Sequence, residues 1–506
     1  MNNLDIYKQT FKMLMFTVLS ILLARVTKNY ILPLYVAAGL ICVLTNKLGW
    51  ALVFYVLFPF YVILNPGVLP KVGSITGLSL RAGPLLIGLA LAFTAASRQG
   101  HHRLPFIMIV PFMMVAIISS VDGWAPMVSM LKIINFSVFL LGLWFGTQNL
   151  QHRPKDLFVL RAFFLALAFL LVFGSLLLWP FPTISFATSL QYALREGGVE
   201  LAEEVYQYMQ EEGMKALFCG ITNQSQALAP LTACAFAFTA CDMLFVERKF
   251  RIPHVVFLLV SLPVLYMTRS RLGLLTLAAG MAITIFYTAR HMQMRTDVQA
   301  RLRQGVAVFL IFVASLAIVS QIKSGAMSEW IRKTSDARDD KRSLSEALTS
   351  SRMGLIAESM KDFRRNPMIG MGFQVAEYTK YRTRGKGLVI SASIEKGVLP
   401  VMVLGETGVL GTGLFFLFLA SFYFTCARRR YYVTISLFSV FLVTNMGEAT
   451  FFSPGGGGGF LWMMCVVGGF ALDTILLYRS NVETAWQQMA AAQQIMAQRG
   501  IQGTYT

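Results

Sequence analysis

Apolar runs recur along almost the whole chain, and one long polar stretch breaks the series late. The runs fall at 11–24, 30–45, 48–64, 78–96, 105–120, 126–147, 158–179, 224–245, 254–268, 272–289, 304–320, 398–424, 431–447 and 457–478. A straight helical span needs about 20 residues, and several runs are shorter. The first is short enough to lie in the interface or to re-enter rather than cross. Runs of this length and number predict an all-α polytopic membrane protein rather than a barrel, with about 12–14 transmembrane helices. A large extracytoplasmic loop falls between two late helices. The division is a bundle over 1–320 with an outer loop at 180–222, a cap over 321–397, further spans over 398–478 and a cytoplasmic tail over 479–506.

The polar stretch 321–397 is the feature around which the chain is organised. Within it, 345–365 reads as a helix that stops at Asn366 and Pro367, because the residue before a proline resists the α conformation. At about 100° per residue, Leu344, Leu348, Leu355, Ile356, Met360 and Phe363 share one face. Arg352 falls in the middle of it, with Glu358, Lys361 and Arg364 on or toward the other. Either Arg352 snorkels from an interfacial helix, or it is aimed into a membrane-facing cavity toward an anion. The turn at Gly370, Met371 and Gly372 folds the cap back. The cap holds 15 basic against 9 acidic residues.

Composition agrees with the runs. The chain is 56% hydrophobic and 14% charged, against about 25% charged in soluble domains, with a mean hydropathy of +0.61. The six cysteines show no metal or redox spacing, and most sit in apolar runs as packing residues. The net charge of +19 is not a nucleic-acid signal, because much of it lies in short loops where basic residues fix topology. No small-residue cleavage site follows the first run, so no removable signal peptide is expected.

Alternate short loops carry Arg98 and Arg103; Arg153 and Lys155; Arg248, Lys249 and Arg251; Arg290, Arg295, Arg301 and Arg303; and Arg428, Arg429 and Arg430. These are expected in the cytoplasm. The intervening 121–125 has no basic residue. Arg25 and Lys28 break the rule, a further reason to doubt that the first run crosses. The loop 180–222, with an acidic helix-like run at 196–212, and the cap then face outward. At 455–459 five glycines read as a flexible turn; no strand precedes them and no lysine follows, so they are not a phosphate loop.

Several residues on the outward side are candidates for chemistry. Arg269 and Arg271 split two apolar runs with almost no loop between them, and charge at bilayer depth costs a few kcal/mol unless compensated. They either snorkel or bind a phosphate or pyrophosphate, whose oxygens match guanidinium forks. Asn223 and Gln226 stand at the outer end of a span, where their amides suit sugar hydroxyls; capping of the helix by Asn223 or Ser225 is an equal alternative. Asn223, Gln224 and Ser225 also fit the glycosylation triplet. Glu395 and Lys396 lie at a membrane boundary, either as an interfacial pair or with Glu395 as a general base raised by partial desolvation. Glu406, Thr407 and Gly408 follow a turn or two inside the next span. The five histidines, His101, His102, His152, His254 and His291, fall in or beside expected cytoplasmic loops. No metal-binding motif occurs on the outer face, so no tightly held metal or other cofactor is expected there.

Taken in order, these elements resemble a family. They are the Asn-Gln-Ser-Gln-Ala-Leu-Ala stretch at 223–229, the Thr-Arg-Ser-Arg-x-Gly element at 268–273, Arg352 with Asn-Pro-x-x-Gly-x-Gly at 366–372, and Glu-Thr-Gly-x-x-Gly at 406–411. The pattern is similar to that of the O-antigen ligase and O-antigen polymerase superfamily of bacterial envelope enzymes, over about 220–415. The resemblance implies transfer of a glycan from an undecaprenyl-pyrophosphate carrier to an acceptor hydroxyl, without nucleotide sugar or metal. The setting would be the periplasmic face of the bacterial inner membrane. Arg269 or Arg271 and Arg352 would grip the pyrophosphate leaving group. The ligases carry a histidine near the end of the large loop; here the place reads Ser393, Ile394, Glu395, Lys396, Gly397. That departure leaves Glu395 as the candidate base and favours a polymerase of O-antigen, capsule or exopolysaccharide repeat units over a ligase. The implied partners are the lipid-linked glycan, membrane lipid and a chain-length-regulating polysaccharide co-polymerase, with no nucleic acid. A polysaccharide flippase and an envelope scaffold are the competing classes; the absence of an internal repeat and the single late cap argue against transport.

Overall fold

The computed structural model describes residues 3–64, 75–96, 105–150, 153–181, 218–223, 225–247, 251–268, 270–292, 344–376, 398–447, 449–479 and 488. Fourteen helices are named here: α1 Asn3–Val26, α2 Leu32–Leu44, α3 Leu48–Ile63, α4 Ile75–Ala96, α5 Ile109–Val121, α6 Pro126–Gln148, α7 Pro154–Leu178, α8 Ser225–Cys241, α9 Ile252–Met267, α10 Arg271–Met292, α11 Leu344–Arg365, α12 Leu399–Arg428, α13 Tyr432–Thr444 and α14 Gly456–Met463. Wide π turns, Asp242–Glu247 and Met464–Gly468, extend α8 and α14. An isolated β bridge joins Leu64 and Thr222. Among the described residues, six helices are long and apolar enough to cross a membrane: Asp5–Val26, Pro126–Gln148, Pro154–Leu178, Ala227–Glu247, Leu399–Arg428 and Gly456–Arg479. The chain is an all-α polytopic membrane protein.

Every expected apolar run coincides with a described helix except 304–320, which lies outside the described residues. Prolines open α2, α6, α7, α9 and α12 in the first turn, where the missing N–H costs nothing. The first run, expected to be short, forms a helix long and apolar enough to cross a membrane. Its helix is 24 residues and reaches from Tyr7, beside His254 at the start of α9, to Arg25, beside Tyr61 at the end of α3. The glycine run is also corrected. Rather than a loose turn, it supplies the first turn of α14, with Gly458 and Gly459 tight against the carbonyls of Thr450 and Pro454.

Contacts sort the helix ends into two sets. At one end Arg153 bonds the Asn46 carbonyl and side chain, Arg479 bonds the Val246 carbonyl, and Asp473 takes the backbone N–H groups of Val433 and Thr434 at 3.0 and 2.9 Å. At the other end Asn223 N–H bonds Ile63, Trp124 N–H bonds Met371, and Leu399 N–H bonds Asn445. The basic short loops Arg153, Arg251 and Arg428–Arg430 adjoin the first set. The cap segment adjoins the second.

Aromatic rings fill the space between. Phe112, Phe136, Phe415, Phe438, Phe451, Phe452 and Trp462 interlock edge-to-face and stacked, the Phe451–Trp462 centroids 4.8 Å apart. Outside, Phe416, Leu417 and Phe424 of α12 and Leu19 and Leu22 of α1 are exposed, as helices facing lipid require.

Candidate functional site

The site forms at the cap end, where α12 is broken. Gly408 takes φ 65° and ψ −166° inside the helix, a conformation that L side chains avoid. The break leaves backbone groups without helical partners, and the segment after α11 supplies them. Val409 and Leu410 N–H donate to the carbonyls of Pro367 and Met368 at 2.8 and 3.2 Å, and Met371 and Gly372 N–H donate to those of Gly405 and Glu406 at 3.1 and 3.2 Å. Gly370 also has positive φ, 76°, and a Cβ there would overlap the Glu406 carbonyl. The elements at 366–372 and 406–411 are thus two halves of one backbone junction. The expected turn at Gly370–Gly372 is present, and it also threads the broken helix.

Beneath the junction lies Glu406, fully buried. A carboxylate at such depth is costly and marks a working position more often than a structural one. Around it the cap is pinned to the bundle on three sides. Trp124 donates its indole N–H to Asp362 at 3.2 Å and stacks under the Arg365 guanidinium at 4.7 Å. Ser129 donates to the Phe373 carbonyl at 2.6 Å, and Phe373 N–H reaches Ser120. The Phe373 ring enters the core 5.0 Å from Phe452. Lys132, 6% exposed on α6, donates to the Gln374 carbonyl at 3.0 Å.

Cap helix α11 spans Leu344–Arg365 and is followed by Asn366, the expected element and stop. Its inner stripe is set by contact: Ser359, 1% exposed, packs its carbonyl on Gly405 of α12, and Asp362 is 2% exposed. Seven residues return to within about 20° on an α-helix. Arg352 therefore holds a register position on the same stripe, two turns before Ser359. Its backbone alone is described.

The two other family-like elements also meet. Gly273 of α10 packs against Ala229 of α8, a Cβ on Gly273 lying 2.8 Å from that of Ala229. Ser270 caps α10 by accepting Gly273 N–H at 3.2 Å. Thr276, one turn further along, faces Thr444 at the end of α13, and the next residue, Asn445, bonds the start of α12. The element at 268–273 thereby stands at the same end of the bundle as the broken helix.

Arg271 is the first residue of α10, described by its backbone. Asn223 is half-buried and anchored through its N–H to the Ile63 carbonyl at 2.8 Å. Gln226 lies in the first turn of α8, its side chain not described. Arg269, Glu395 and Lys396 lie outside the described residues. The sequence reading passed over Lys132, Trp124 and Asp362. Lys132 had a signal: it is the one charged residue of the run at 126–147.

A second buried polar cluster occupies the opposite end. Arg161 of α7 forks onto Asp242 at 2.7 and 3.0 Å and also bonds Glu247. His254 Nε2 meets Asp242 at 2.9 Å, and Tyr7 meets His254 Nδ1 at 3.3 Å. His254 stands beside the basic loop at Arg251, as expected, and its side chain is buried, 1% exposed. Among the described residues no group of three or more His, Cys, Asp or Glu side chains is placed to hold a metal. No known family model matches the chain, and no curated protein matches it.

Proposed function

We propose that the protein moves a glycan from an undecaprenyl-pyrophosphate-linked donor to an acceptor hydroxyl on the outer face of a bacterial inner membrane. The reading is polymerisation of O-antigen, capsule or exopolysaccharide repeat units. The observation that carries it is the junction between 366–372 and 405–410. It fixes the cap helix, and with it the register of Arg352, over a broken membrane helix with a buried carboxylate. Discontinuous helices at membrane depth are a usual way to build a site for polar substrates in lipid.

The basic short loops set the first bundle end in the cytoplasm and the junction outside. With 304–320 as a further span, the chain crosses fourteen times. Arg352, Arg271 and Arg269 hold the pyrophosphate, Asn223, Gln226 and Lys396 contact the glycan, and Glu395 takes the proton from the acceptor hydroxyl as it attacks the anomeric carbon. The bond from that carbon to the phosphate oxygen breaks, and the arginines stabilise the departing charge. No nucleotide or metal enters this scheme.

The test is a reconstitution with a lipid-pyrophosphate-linked oligosaccharide, with and without EDTA, the products resolved by length. A ladder that persists in EDTA supports a polymerase. Single transfer to an added acceptor assigns a ligase. Movement of intact donor across vesicles without transfer assigns a flippase, the reading that the break in α12 would also suit.

A further inference from the structure

We infer that the groove between α1, α2 and α3 binds one anionic phospholipid, with an acyl chain in the groove and the phosphate against Arg25 and Lys28. The groove opens to the helix surface and is walled by Ile21, Leu32, Leu57 and Phe58, with Ser20, Tyr35 and Tyr61. Both of its phenol hydroxyls have partners. Tyr35 donates to the Ser20 carbonyl at 2.8 Å, and Tyr61 bonds the Asn29 side chain. What remains toward the groove is hydrocarbon, which suits an acyl chain and not a sugar or a nucleotide.

The mouth is cationic. Arg25 lies 5.4 Å over the Tyr61 ring. Lys28 is exposed in the α1–α2 turn, where it and Asn29 both take positive φ, 46° and 72°. That turn directs Asn29 inward onto Tyr61, so it closes the groove wall at the end of α1 that carries Arg25, with Lys28 three residues further along. Ser20 lies five residues from Arg25, about 7.5 Å along the helix, the depth at which acyl chains begin beneath a phosphate. Arg25 and Lys28 stand at the cap end, against the charge bias that the basic loops of the other end follow. Basic residues at a lipid surface attract anionic headgroups. None of the groove residues belongs to the site at the α12 junction, so the inference stands whether or not glycan transfer does.

Native mass spectrometry of the delipidated full chain in detergent tests it, with phosphatidylglycerol and phosphatidylcholine of the same acyl length as probes. One phosphatidylglycerol should bind in preference to phosphatidylcholine. Arg25→Ala and Lys28→Ala should each weaken its binding about fivefold, while Arg25→Lys retains it. Leu57→Trp, which fills the groove, should reduce phosphatidylglycerol binding with the melting temperature within a few degrees of the parent. Equal binding of the two lipids, or phosphatidylglycerol binding unchanged in both R25A and K28A, would overturn the inference. Displacement of phosphatidylglycerol by a lower concentration of undecaprenyl phosphate would overturn the phospholipid assignment and give the groove to the carrier lipid.

Discussion

Gly370 and Gly408 are the residues on which the junction turns. Both have positive φ, and the backbone of the partner segment fills the space that a side chain would need. Gly408→Ala should destabilise the protein by about 2 kcal/mol or more through strain alone, read as a lower melting temperature in detergent. An unchanged melting temperature would show that the break in α12 is not as described. Arg352→Ala and Arg271→Ala should each lower transfer by about a hundredfold or more, the usual effect of removing one stabiliser of developing charge, with normal amounts of protein in the membrane. Near-normal polymer from both variants would remove the anion site. Lys132, Arg161, Asp242, Glu406 and Asp473 are each the one charged residue of an otherwise apolar run, and all are buried. That isolation was visible in the sequence. Which of them serve the site and which hold the bundle was not, because the partners are far apart in the chain: Lys132 bonds residue 374, and Arg161 bonds residue 242.

At the scale of elements, the helix boundaries were legible because apolar runs, opening prolines and the Asn366–Pro367 stop are local signals. The cap helix was legible in extent but less so in its packing. Among its described side chains the most buried are the polar Ser359 and Asp362 rather than Leu355, Ile356 or Met360, since it rests on a glycine backbone and an indole N–H instead of an apolar surface. The glycine run was misread for a related reason: close approach to the carbonyls of Thr450 and Pro454, not flexibility, calls for glycine there. The Arg161 cluster ties α7, α8, α9 and, through Tyr7, α1. Arg161→Met should cost about 3–5 kcal/mol by leaving Asp242 and Glu247 buried without their cation. Adding Asp242→Leu should restore part of that loss in the same melting measurement; a further fall would mean that the cluster is held by something other than charge pairing.

The whole molecule has two unlike ends. One carries basic loops closed by ion pairs; the other carries the threaded junction and the cap. The proposed orientation predicts that a cysteine placed at Asp122 or Met446 is labelled by an impermeant maleimide in intact cells, and one at Asn46 or Arg430 only after the membrane is opened. The reverse pattern would put the junction in the cytoplasm, away from lipid-linked glycans awaiting export. The central claim, transfer from a polyprenyl-pyrophosphate donor, is tested most directly with donor lipid extracted from cells that lack this protein, since those cells accumulate whatever it consumes. Purified protein with that extract in EDTA should release polyprenyl pyrophosphate and lengthen or move the glycan, and Arg352→Ala protein should do neither. Donor left intact by the unaltered protein, under conditions where it remains folded, would contradict the account.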